Sequence, residues 1–222
     1  MIKKEIITRL KEHIIVPVIR LAQASQALRV VEVLHKAGYR VFEITLTMQG
    51  AVSLIKKLKK EYRESLIGAG TVLSSDDAML SIDSGSDFIV SPAFIEDVVD
   101  YCQSKKVTII SGAVTPTEIL KAFHHGSDMI KIFPASLMGG PKYIRSIKNI
   151  YPNIDLMPTG GVDENTALDY LKSGATLLGV GSDMVNQDLV HEKKFAEIEK
   201  RAGTLLEKIK NYKLKTFQAF GA

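Results

Sequence analysis

The 222-residue chain holds a single cysteine, Cys102. An intrachain disulfide framework is excluded, and the spacing around Cys102 matches no metal or redox motif. A reducing, cytoplasmic setting is the default expectation. No apolar run is long enough to span a membrane. The first thirteen residues are broken by Lys3, Lys4, Glu5, Arg9, Lys11 and Glu12. They read as an amphipathic first helix, not as a signal peptide or membrane anchor. No basic run is interleaved with aromatics, so nucleic acid is not an expected partner. The net charge of +4 is mild and compatible with a small anionic substrate. The histidines His13, His35, His124, His125 and His191 fall on predicted helices or their ends. They form no ligand spacing with carboxylates or Cys102, so no metal is expected. No linker, low-complexity tract or domain break divides the chain, and residues 1–222 read as one domain.

What the sequence does contain is alternation. Short apolar runs occur at Ile14–Arg20, Tyr39–Thr45, Leu66–Ala69, Asp87–Val90, Val107–Ser111, Asp128–Phe133, Asp155–Pro158 and Thr176–Val180. Amphipathic stretches separate them: Ala24–Ala37, Ala51–Tyr62, Asp76–Asp83, Ile95–Lys105, Pro116–His125, Pro141–Ile150 and Glu164–Ser173. Strand alternating with helix implies βα units and a parallel sheet. About eight such units predict an α/β fold, a closed (β/α)8 TIM barrel with an extra N-terminal helix. Leu189–Lys210 reads as a closing helix, and Asn211–Ala222 has no clear pattern and is expected to be loose.

A weak repeat sets the phase of the strands. Gly38-Tyr-Arg-Val-Phe-Glu43, Gly85-Ser-Asp-Phe-Ile-Val90, Gly126-Ser-Asp-Met-Ile-Lys131 and Gly174-Ala-Thr-Leu-Leu-Gly179 each begin with a glycine suited to the left-handed end of a helix. Side chains alternate faces along a strand, so Glu43, Val90, Lys131 and Gly179 share one phase. All four come from even-numbered strands, which share barrel layers. If Lys131 points inward, so does Glu43.

Lys131 interrupts a strand that should be apolar on both faces. Burial disfavours an ammonium ion, and a neutral amine is the nucleophile that Schiff-base chemistry needs. The plain alternative is a lysine at a strand end whose head reaches solvent. Glu43 supplies an acid/base for the same chemistry; its alternative is a structural ion pair with Lys131 or Arg20. Thr159-Gly160-Gly161 and Gly179-Val180-Gly181-Ser182 end strands seven and eight, where barrels commonly hold phosphate on backbone N–H groups. Glycine permits close approach of the backbone, and Ser182 adds a hydroxyl. Gly68-Ala69-Gly70 leaves room at the mouth, and the Thr71 hydroxyl either meets a carboxylate or caps a helix. Arg20 ends strand one with a planar fork for a carboxylate. Pro92 and Pro134 terminate strands four and six, and Phe133, in phase with Lys131, walls the site or joins the core.

In this order Phe42-Glu-Ile-Thr-Leu46, Ile67-Gly-Ala-Gly-Thr71, Phe88-Ile-Val-Ser-Pro92, Lys131-Ile-Phe-Pro134, Pro158-Thr-Gly-Gly161 and Gly179-Val-Gly-Ser182 carry a resemblance. From about Val16 to Val185 the chain resembles the 2-keto-3-deoxy-6-phosphogluconate (KDPG) aldolases, also described as 4-hydroxy-2-oxoglutarate aldolases. The resemblance implies a class I aldolase on a (β/α)8 barrel, a homotrimer without metal or other cofactor. It makes Lys131 the Schiff-base lysine and Glu43 the proton-transfer residue. Thr71, Pro92, Phe133 and Thr159 would line the substrate site, and Gly160, Gly161 and Ser182 would bind phosphate. Many members carry an arginine soon after the glutamate, for the substrate carboxylate. Here Thr47 occupies that position, and Arg20 is expected to supply the charge instead. The implied substrates are a phosphorylated 2-keto-3-deoxy sugar acid, in Entner–Doudoroff-type carbohydrate metabolism, and 4-hydroxy-2-oxoglutarate. Pyruvate is the common product. The galactonate epimer is an alternative substrate. A phosphosugar isomerase or synthase, or a silent phosphosugar-binding barrel, are the rival readings without a Schiff base.

Overall fold

The computed structural model describes residues 2–220, with side chains to residue 215. An N-terminal helix α1 (Lys3–His13) precedes eight strands. These are β1 (Ile15–Ile19), β2 (Val41–Thr45), β3 (Leu66–Gly70), β4 (Phe88–Val90), β5 (Thr108–Gly112), β6 (Met129–Ile132), β7 (Leu156–Pro158) and β8 (Leu178–Val180). Helices α2 (Ala24–Lys36), α3 (Ala51–Glu61), α4 (Ser75–Asp83), α5 (Glu96–Ser104), α6 (Pro116–His124), α7 (Pro141–Ile150) and α8 (Ala167–Lys172) follow strands one to seven. All pairings are parallel, in the order β7-β6-β5-β4-β3-β2-β1-β8. The barrel closes through a parallel bridge between Thr159 and Gly179 and a hydrogen bond from Thr176 N to Leu156 O at 2.9 Å. The expected (β/α)8 barrel is thus the fold.

Local sequence explains the element ends. Thr115 accepts from Glu118 N while the Glu118 carboxylate accepts from Thr115 N, a capping box that starts α6 with Pro116 at its first position. Gly38, Gly85, Gly126 and Gly174 all have φ between 96° and 106°, the left-handed region in which glycine avoids a Cβ clash. In two repeats an aspartate follows two residues later. Asp87 Oδ2 accepts from Ile67 N at 2.8 Å, and Asp128 Oδ2 from Ile109 N at 2.9 Å. Each of the two aspartates therefore satisfies the amide of the second residue of the preceding strand.

The closing helix differs from expectation. It is two helices, α9 (Gln187–His191) and α10 (Phe195–Phe220), separated where Lys193 takes φ 57°. Helix α10 runs through most of the segment expected to be loose; Gly221 and Ala222 lie outside the described residues. Ala202, Leu205 and Ile209 are buried and Tyr212 packs against them. Their spacing is helical, so the apolar stripe carries the helix past Lys210. Lys213 Nζ also donates to Glu12 O at 2.6 Å, and Tyr39 Oη to Ala202 O at 2.9 Å. Helix α8 starts at Ala167, not at Glu164, because Asp163 Oδ1 accepts from the Asn165 and Thr166 amides and holds them in a turn.

Most of the core lies between strands and helices. It includes Cys102, whose thiol burial pushes up to about 12, which makes it inert. A second cluster fills the barrel interior, with Phe88, Ile110, Met129 and Met157 at its centre. Ile6 and Leu10 of α1 belong to that inner cluster. Helix α1 therefore plugs the N-terminal end of the barrel, and Lys3–Asp128 (2.9 Å) and Lys11–Asp155 (2.7 Å) ion pairs fasten it. Leu10 is fully buried. Leu10→Ala should lower stability by about 2–5 kcal/mol through the cavity it leaves, read as a fall in melting temperature with catalysis retained. An unchanged melting temperature would mean that α1 unfolds independently of the barrel. No helix among the described residues is long and apolar enough to cross a membrane.

Candidate active site

The buried ionisable pair and the cavity above it lie toward the C-terminal ends of the strands, the end at which barrels place their sites. Glu43 of β2 lies in register with Val18 and Gly68, and Lys131 of β6 with Gly112 and Met157. The two side chains meet across the barrel. Lys131 Nζ is 3.3 Å from Glu43 Oε1, at 3% and 0% exposure. The alternatives of a solvent-reaching lysine and of an Arg20–Glu43 pair are not realised among the described residues. Lys131 Nζ also stands 5.7 Å from the centre of the Phe133 ring. The other carboxylate oxygen, Glu43 Oε2, is buried without a hydrogen-bond partner among the described residues.

Absent side chains make this pair possible. A Cβ on Gly70 would lie 2.2 Å from Glu43 Oε1, and one on Gly68 2.2 Å from the Phe88 ring. The expected room at Gly68-Ala69-Gly70 is thus filled by the glutamate and a phenylalanine. A Cβ on Gly179 would lie 2.1 Å from Thr159 Oγ1, and one on Gly112 2.0 Å from Pro92 O. Gly112 carried no signal in the sequence, since a lone glycine after a strand reads as a turn.

Above the pair opens a cavity of about 380 Å³. Arg20, Lys131, Phe133, Thr159, Gly160, Gly161 and Ser182 line it, together with Asp183, Gln187 and Asp188 of the β8–α9 region. Gly160 and Gly161 have φ of 88° and 73°. Their carbonyls accept from Ser136 N (3.1 Å) and Thr166 Oγ1 (3.2 Å). The amides at the start of α9 are taken by the Asn186 side chain, at 2.8 and 3.2 Å. Burial, and then the facing Asp163 carboxylate, pushes the Asp183 carboxyl above its ordinary value. Asp163 itself is pushed up by burial but held lower overall by hydrogen bonds from Thr166 and Asn165.

Glu43 lies beneath the cavity, and Thr71 and Pro92 end β3 and β4 at the same rim without lining it. Thr71 is half-buried with φ 58°, a strained conformation for a β-branched residue that costs on the order of 1–3 kcal/mol. The cap of α4 is Ser74, which accepts from Asp77 N at 3.1 Å, so Thr71 does not cap that helix. Of the residues missed from sequence, Asp183 sits in the β8–α9 connection and Gln187 and Asp188 open the five-residue helix α9, too short for a periodicity that would reveal their direction. A larger cavity of about 470 Å³ lies outside the mouth, between Asp163, Asp183 and the Lys200 and Arg201 of α10. Neither Lys131 nor Glu43 lines it. No group of three or more His, Cys, Asp or Glu side chains among the described residues is placed to hold a metal ion.

A (β/α)8 barrel with a buried lysine–carboxylate pair below a polar mouth belongs to the class of barrels built for carbonyl chemistry through a lysine amine. The family model described as "KDPG and KHG aldolase" matches residues 6–201. The chain belongs to that family of lyases. It is similar to the 2-dehydro-3-deoxy-phosphogluconate aldolase of Haemophilus influenzae, 34% identical over 207 residues, which are 93% of this chain and 98% of the relative. The KHG/KDPG aldolase of Escherichia coli K12 is 30% identical over 193 residues, 87% of this chain and 91% of that one. Among solved structures, a native KDPGal structure superposes with a TM-score of 0.81 at 26% identity, over 89% of this chain and 94% of the other.

Proposed function

We propose that the chain is a class I aldolase that cleaves 2-dehydro-3-deoxy-6-phosphogluconate to pyruvate and glyceraldehyde 3-phosphate, and 4-hydroxy-2-oxoglutarate to pyruvate and glyoxylate. The observation that carries this reading is the 3.3 Å approach of Lys131 to Glu43 in the barrel interior. The unprotonated Lys131 amine attacks the C2 ketone. Glu43 moves the protons that let the carbinolamine lose water to the iminium. The iminium draws electrons from the C3–C4 bond while Glu43, directly or through a water, takes the C4 hydroxyl proton. The aldehyde leaves and an enamine of pyruvate remains. Protonation at C3 and hydrolysis release pyruvate and the free amine.

The loop residues Gly160, Gly161 and Ser182 hold the phosphate in this reading, with Thr159, Phe133, Thr71 and Pro92 shaping the space around C2 to C4. A remote phosphate grip positions the reacting carbon. Arg20, exposed and lining the cavity, takes the carboxylate. Arg20→Ala is then expected to raise KM for the sugar acid about 10- to 100-fold, the range of a lost charge-assisted contact. Steady-state kinetics with unchanged KM would remove Arg20 from the site.

The direct test follows pyruvate release by coupled lactate dehydrogenase, with each substrate and the galactonate epimer in turn. Release that persists in a chelator supports metal-free chemistry. No pyruvate from any of the three overturns the proposal. We infer further that the enzyme works in the cytoplasm, in sugar-acid breakdown, as a homotrimer. Exposed large apolar side chains such as Leu73, Leu80, Leu137 and Ile150 are available to an interface. Analytical ultracentrifugation gives the mass of the assembly.

A further inference from the structure

Thr45 closes the inward-facing row of β2, two residues beyond Glu43, and is fully buried. In the β1–β2 register Val18 faces Glu43 and Ile19 faces Ile44. The next pair toward the mouth is therefore Arg20 and Thr45. Thr45 Oγ1 donates to the Ile19 carbonyl oxygen at 3.1 Å. A threonine hydroxyl has one proton, and that contact uses it. In the 3.1 Å contact between the Thr45 and Thr47 hydroxyls, Thr47 must then be the donor. The result is a directed chain from Thr47 to Thr45 to the carbonyl of the peptide bond that precedes Arg20. Two further contacts hold the same segment. Gln187 Nε2 donates to Arg20 O at 3.4 Å, and Gln23 pairs with Gln49 in a parallel bridge beyond the strand ends. The Arg20 side chain is exposed in the cavity while its backbone is held from both sides.

We propose that Thr45 is a positioning residue for Arg20. Its buried hydroxyl ties the end of β1 to the end of β2 and sets where the Arg20 guanidinium meets the substrate carboxylate. Thr47, in the turn that follows β2, supports Arg20 by feeding that hydroxyl a hydrogen bond. The inference rests on Arg20 binding the carboxylate, as in the proposed function. It assigns Thr45 no contact with substrate and no proton transfer.

The test compares Thr45→Val, which keeps the shape and removes the hydroxyl, with Thr45→Ser, which keeps the hydroxyl. Each is made in the wild-type and in the Arg20→Ala background. Thr45→Val is expected to raise KM about five- to tenfold with kcat changed less than about twofold, the size of one hydrogen bond acting on binding. Thr45→Ser should return KM to near the wild-type value. In the Arg20→Ala background Thr45→Val should add nothing, because the group it positions is gone. A Thr45→Val effect that persists without Arg20, a KM unmoved by Thr45→Val, or a Thr45→Ser as impaired as the valine variant would each overturn the inference while leaving the aldolase reading intact. If Arg20→Ala itself leaves KM unchanged, the carboxylate assignment falls and the inference falls with it. Should Thr45→Val not fold, Thr47→Val at the exposed end of the chain is measured instead. It is expected to raise KM in the same direction by a smaller factor, and a KM equal to wild type would again overturn the proposal.

Discussion

Borohydride reduction in the presence of pyruvate is expected to leave one covalent adduct per chain, on Lys131, and Lys131→Met is expected to lower kcat on the order of 10⁵-fold, as loss of a covalent nucleophile does. The chain has many lysines, but burial singles out few. Lys148 is partly buried and its pKa is lowered by that burial. It is nevertheless occupied, donating to Pro152 O at 2.6 Å and Ile154 O at 2.9 Å on the outside of the barrel. Among the described residues Lys131 alone combines 3% exposure, a place in the cavity wall and a carboxylate within 3.3 Å. Peptide mass mapping after reduction reads the site directly. An adduct on another lysine would keep the Schiff base and move the site; no adduct on a folded protein would end the class I mechanism for this chain. Lys131→Met also leaves Glu43 buried without its cation, which destabilises by about 3–5 kcal/mol when a buried pair is broken from one side. The double variant Lys131→Met with Glu43→Gln should recover much of that loss in a thermal melt.

Glu43→Gln is expected to lower kcat about 10²- to 10⁴-fold, the usual range for a general acid–base group. The substitution keeps the volume that Gly70 makes room for. Its effect is therefore on proton movement and on the charge facing Lys131, not on packing. Glu43 serves more than one proton transfer in the proposed sequence: loss of water from the carbinolamine, removal of the C4 hydroxyl proton, and return of a proton on the way to pyruvate. The pyruvate adduct on Lys131 should still form in Glu43→Gln, but over minutes in place of the dead time of mixing. A variant with kcat within tenfold of wild type would hand the proton work to another group. Among the described residues the carboxylate paired with Lys131 Nζ is that of Glu43, at 3.3 Å, and that is why the loss should be large.

The barrel, the N-terminal helix and the facing of Glu43 and Lys131 were legible in the amino-acid order. These features are local or periodic. A glycine in the left-handed region follows each of the helices α2, α4, α6 and α8, the strand that comes next alternates with period two, and equal spacing from the glycine gives equal phase. The loose tail was misread because the stripe formed by Leu205, Ile209 and Tyr212 becomes meaningful only with a surface to lie against.

By itself, then, the order of residues determined which elements form, which way their side chains face, and that an amine and a carboxylate share the inside of one barrel. Tertiary structure alone decided that the two stop 3.3 Å apart although 88 residues separate them. It also decided that Gly70 and Gly112 are spaces for Glu43 and Pro92, that Gln187 and Asp183 enter the mouth, and that Thr45 braces the strand bearing Arg20. The physical reason is range. Backbone preference and side-chain phase act over a few residues and are written in neighbours along the chain. Distances across a closed barrel depend on how all eight strands pack around a common interior, and no short stretch of sequence contains that sum.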